Sequence, residues 1–142
     1  MDIKYRLESI IETEFRIDYD FDYSNLDPEK VQVRVGHEIK PVMDKDKITL
    51  KVRASLIFVD RDIELAANAI MMTYGLSPIK DIIVMNGDGT FSAQNTLLLD
   101  TFLSATVGAL RGVMMKNLKG SPLEHYFMPL IPMETFREKR KR

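Results

Sequence analysis

From Ile3 to Tyr23 the odd positions read Ile, Tyr, Leu, Ser, Ile, Thr, Phe, Ile, Tyr, Phe and Tyr. The even positions from Asp2 to Asp22 are charged in ten of eleven cases, with Ile10 as the exception. Successive side chains of a strand point to opposite faces, so a period of two predicts one apolar face and one charged face. A helical period would scatter both kinds around the circumference. The chain therefore opens as part of a half-solvated antiparallel sheet. This run is far longer than the usual strand of about 5–6 residues, so it must bend, break or continue as an extended arm.

The same alternation returns twice. Ser24, Asn25, Asp27 and Pro28 mark a turn. Val31, Val33, Val35 and Ile39 then alternate with polar residues up to Pro41, predicting a second strand. Asp44 to Lys47 form a polar hairpin loop, and Ile48, Leu50, Val52, Ala54, Leu56 and Phe58 share one face of a third strand. Residues 63–76 are ambiguous, because Glu64, Leu65, Ala66, Ala67, Ala69 and Met71 favour helix by propensity. Their place, one tight polar turn after a long strand, decides for a fourth strand. Residues 78–91 read as an irregular connection with an apolar run at 82–85. Asn86 to Gly89 are turn residues, and Asp88 alone makes no calcium loop.

From Thr96 to Leu118 the period becomes helical: Leu99, Leu103, Thr106, Leu110, Met114 and Leu118 fall on one stripe. Asn95 or Thr96 can cap the start, while Gly120 and Pro122 end the helix. A Pro-broken apolar loop follows, with a short terminal helix from Met133. The expected class is α+β, a four-stranded antiparallel sheet packed with one long helix and a short terminal one. Residues 1–136 are read as a single domain and 137–142 as a basic tail.

Composition narrows the function. Hydrophobic residues at 45% and charged residues at 29% suit a soluble globular protein. The absence of cysteine removes disulfide scaffolds, zinc–thiolate sites and thiol nucleophiles, and agrees with a cytoplasmic location. Met1 runs directly into alternating charges, so no signal peptide is expected. The apolar run Thr101–Met115 is short for a bilayer and contains Arg111, so no membrane span is expected. The net charge of −1 hides a basic tail on an acidic body, which argues against nucleic acid as the main partner. His37 and His125 have neither a nucleophile nor a ligand spacing around them, and no nucleotide or hydrolase motif occurs. The expectation is no enzyme, no cofactor and no metal.

Apolar surface, by contrast, is in excess. Ala105, Gly108, Ala109 and Gly112 form a small-residue stripe on the helix, a candidate for close approach of another subunit. Nine methionines, several near the helix end and the Pro-rich loop, suit a surface that accommodates varied apolar partners.

The order of features resembles the SecB family of export chaperones. Residues 5–17, 31–41, 47–59 and 62–76 resemble that family's four strands, and Gly75-Leu76-Ser77 its exit from the fourth. Leu110-Arg111-Gly112, then Pro122 and Phe127-Met128-Pro129-Leu130, resemble its helical arginine and later apolar-Pro-apolar segment. The family's Pro-Tyr before the helical arginine is missing, and Ile131 and Pro132 stand where it has Asn-Phe. The resemblance implies an ATP-independent chaperone for protein export, a dimer of dimers that holds unfolded polypeptides and meets the motor SecA through an acidic sheet surface. It implies client binding by Met114, Met115, Leu123, Tyr126, Phe127, Met128, Leu130 and Ile131. It implies a motor contact at Asp60, Asp62 and Glu64. The alternative is the same fold dedicated to one partner protein, such as an antitoxin.

Overall fold

A computed structural model of the chain describes residues 2–94, 96–132 and 134–136; the basic tail and the cap at Asn95 lie outside them. Four long strands, β1 (Lys4–Ile17), β2 (Val31–Val42), β3 (Lys47–Phe58) and β4 (Ile63–Ser77), form an antiparallel sheet in the order β1-β4-β3-β2. Residues 63–76 are indeed a strand. Their helical propensity yields to the ladder with β1 on one side and β3 on the other.

The apolar run at 82–85 contributes a structure that alternation does not announce. Strands β5 (Ile83–Met85) and β6 (Phe91–Ala93) make a small hairpin. Its turn is the predicted one: Asn86 N donates to Thr90 O at 2.8 Å, Asp88 Oδ1 accepts from the Thr90 backbone, and Gly89 has φ 86°. The helix α1 spans Thr96–Leu118 and stops before Gly120, whose φ of 82° is the left-handed conformation that favours glycine. Residues 134–136 are helical, at the start of the expected terminal helix.

Helix α1 lies across β3 and β4. Leu99, Leu103, Leu110, Met114 and Leu118 enter the core against Ile48, Leu50, Val52, Ile70 and Met72. By length and composition α1 is apolar enough to cross a bilayer, and half of its most apolar window is buried within the protein. That burial on the sheet is one physical account of its apolarity.

The chain after α1 returns beside β2. The Arg111 guanidinium donates to the carbonyls of Met128 (3.0 Å) and Pro129 (2.9 Å), which fixes the Pro-rich loop against the helix. Phe136 is buried and meets the His37 ring edge-on at 5.0 Å. Helix and loop together thus cover β4, β3 and β2, and leave the edge strand β1 only partly covered.

Candidate functional site

Strand β1 carries the largest departure from simple alternation, and the departure makes the site. Its ladder with β4 runs Leu7↔Tyr74, then Ser9↔Thr73, and later Glu12↔Ile70, then Glu14↔Ala69. The register therefore slips at Glu8 and again at Thr13. Each extra residue shifts the parity of the strand, because opposed residues share a face of the sheet. Tyr5 and Leu7 face the helix side, then Ile10 and Glu12, then Phe15 and Ile17. Ile10 breaks the charge pattern because the first bulge turns it to the apolar face.

No described element covers these side chains fully. Tyr5 is 57% exposed, Leu7 48%, Ile10 50% and Phe15 39%, although each lies on the face that buries Tyr74, Met72 and Ile70 in the neighbouring strand. Strand β1 is also an edge, paired through β4 alone. An exposed apolar edge strand is a template for another chain.

The helix extends this strip. Phe102 meets the Tyr5 ring at 5.9 Å, and Asn117 Nδ2 donates to Glu12 Oε2 at 2.7 Å, so the flank between them runs along β1. Ala109 and Val113 lie on that flank by their spacing of three and four residues. Ala105, Gly108 and Gly112 are exposed beside it, and a Cβ built on either glycine meets no atom within 4 Å. Three residues of the expected interface stripe are thus open surface beside the β1 strip, and the fourth, Ala109, is half-buried against the core.

The strip is held by a buried polar knot. Asn68 is fully buried; its Nδ2 donates to Glu14 O (2.8 Å) and Glu12 Oε2 (3.2 Å), and its Oδ1 accepts from Asn117 at 3.0 Å. These bonds tie β1 to β4 and α1 at the second bulge, where the regular ladder is interrupted.

The expected client-binding residues divide. Met115, Phe127 and Leu130 are exposed, and Tyr126 and Ile131 are half-buried against the core. Met114, Leu123 and Met128 are core residues of the protomer, which corrects their assignment to a groove: Met114 lies on the sheet-facing stripe of α1, and Leu123 and Met128 belong to the loop that Arg111 holds against the helix. Sequence reasoning also missed a cavity of about 600 Å³ between Ile39 and Pro41 of β2, the β5–β6 hairpin and Leu99. Its walls are mostly apolar, with Glu38 and Lys40 among its lining residues.

The expected motor contacts do not form a free acidic patch. Asp60 pairs with Lys30 at 3.4 Å and Asp62 with Arg34 at 3.3 Å. Glu64 accepts from Arg53 at 2.8 Å and also pairs with Arg16. Hydrogen bonds from Arg53 hold the carboxyls of Glu14 and Glu64 below the ordinary carboxylate range, against the opposing effect of burial. Among the described residues no group of three or more His, Asp or Glu side chains could hold a metal ion. His125 is exposed and sits 3.6 Å from Glu124.

No protein-family model matches the chain, and no curated protein matches it.

Proposed function

We propose that the chain is an ATP-independent, SecB-like holdase that assembles with copies of itself and holds unfolded polypeptides. The observation that carries this reading is the uncovered apolar strip of Tyr5, Leu7, Ile10 and Phe15, continuous with the small-residue face of α1. Burial of apolar area is non-directional, and each well-buried side chain of a bound chain contributes ~1.5–3 kcal/mol whatever its sequence. A surface of this kind suits low selectivity. It also suits assembly, since Gly108 and Gly112 let a second helix approach closely. Asp60, Asp62 and Glu64, the residues expected to meet an export motor, form ion pairs within the chain, and those of Asp60 and Asp62 are exposed.

Light scattering of citrate synthase diluted from guanidinium, with the chain added and no nucleotide present, tests the proposal. Suppressed scattering that Leu7→Glu and Ile10→Glu together abolish is the expected result. Scattering unchanged by the wild-type chain contradicts it.

A further inference from the structure

The face of the sheet turned away from α1 is charged, and its charges are ordered by the register. Strand β1 presents Lys4, Arg6 and Arg16 on this face, and β3 presents Lys47, Lys51 and Arg53. Between these two columns β4 presents Ala67, Ala69, Thr73, Gly75 and Ser77, with Met71 as the large residue among them and Glu64 at one end of the strand. A furrow of mostly small residues thus runs between a β1 column of mixed charge, which also holds Glu8 and Glu14, and a cationic β3 column.

Twice in this furrow the protein binds a carboxylate of its own. Glu8 lies across Gly75 to reach Lys47 at 3.0 Å; a Cβ on that glycine would stand 2.8 Å from the Glu8 carboxylate oxygen. Glu14 lies opposite Ala69 and reaches Arg53 at 2.7 Å. In both rows a β1 glutamate crosses a small β4 residue to a β3 cation.

The rows between them lack that glutamate. Ser9 stands opposite Thr73 and Ile11 opposite Met71, where β1 offers no carboxylate. Cations lie near these rows: Thr73 pairs with Thr49 of β3, beyond which Lys40 stands on β2, and Met71 pairs with Lys51 of β3. Lys40 and Lys51 are exposed and within 4 Å of no carboxylate of the described residues, although Glu38 is opposite Lys51 and the Lys51 charge also acts on Glu14.

We infer that this stretch of the furrow, bounded by Ser9, Thr73, Lys40 and Lys51, receives carboxylate side chains from an acidic segment of a partner protein. The bound carboxylates meet Lys51 and Lys40 as Glu8 and Glu14 meet Lys47 and Arg53 in the flanking rows. Charge complementarity fixes the sign of the partner. Single-stranded nucleic acid fits less well, because the described strand residues facing this way include no aromatic ring to stack a base, and the chain as a whole carries a charge of −1. A partner on this face leaves the apolar strip on the opposite face free.

Fluorescence anisotropy with a labelled polyglutamate peptide at low salt tests the inference, with labelled polythymidylate as the competing probe. Polyglutamate is expected to bind, and to weaken as salt rises. Lys40→Glu with Lys51→Glu should weaken it by about tenfold or more, a loss of about 1.4 kcal/mol. Ser9→Glu supplies the missing carboxylate from within and should compete to a similar extent without lowering the melting temperature. No binding by the wild-type chain, equal binding by both variants, or tighter binding of polythymidylate overturns the inference.

Discussion

Asn68 shows how one polar residue in a core strand shapes a surface. It is fully buried among apolar neighbours, yet it satisfies the Glu14 carbonyl and accepts from Asn117. Removing the amide leaves buried polar groups without partners, which costs about 1–3 kcal/mol. Asn68→Ala should lower the unfolding free energy by that amount in urea titrations, and should speed amide exchange in β1 around residues 12–15. Arg53 plays the matching part on the other face, where it binds Glu14 and Glu64 together. Both carboxyls titrate lower in the folded chain than in the unfolded one, so their contribution is complete above the ordinary glutamate pKa. It is lost as pH falls through the depressed folded values. Thermal melts should therefore weaken on acidification below the ordinary glutamate range, and Glu64→Gln should flatten that limb. A melting profile equally steep in both proteins would count against this role. Ile10 is the residue whose place was half legible: its apolarity among charges marked an irregularity, but only the ladder reveals a bulge at Glu8.

At the scale of elements, β2, β3 and the helix were legible because each holds one period, β1 despite its two slips, and β4 from its place one tight turn after β3. The β5–β6 hairpin was not, since three-residue strands are too short to display alternation. The sorting of Leu123 and Met128 into the core was hidden for another reason, whereas Met114 already stood on the apolar stripe of the helix. A Pro-broken loop has no period, and its inward face depends on Arg111 reaching two carbonyls far along the chain. Arg111→Ala should release the loop, raise binding of an apolar dye and lower stability by about 1–3 kcal/mol. The glycines of α1 offer a sharper test. Both are exposed in the protomer with open space around them. Gly108→Ala with Gly112→Ala should stabilise a lone protomer by up to about 1 kcal/mol per site through helix propensity. If the face is an interface between copies, the same pair should weaken the assembly while the protomer gains.

The whole molecule presents two unlike faces. On one, apolar side chains of β1 and the smooth flank of α1 stand uncovered beside a finished core. On the other, ordered cations flank a furrow along β4. That face mixes its lysines and arginines with Glu8, Glu14, Glu38 and Glu64, and only the register makes their order visible, because they are scattered through four strands. The central claim concerns the first face, whose apolar area exceeds what one protomer covers. Sedimentation equilibrium at micromolar concentration tests it most directly. The account predicts a mass several times 16.3 kDa for the wild-type chain and a return toward 16.3 kDa for the Leu7→Glu, Ile10→Glu variant with its fold intact. A wild-type chain that sediments at 16.3 kDa at all accessible concentrations contradicts it.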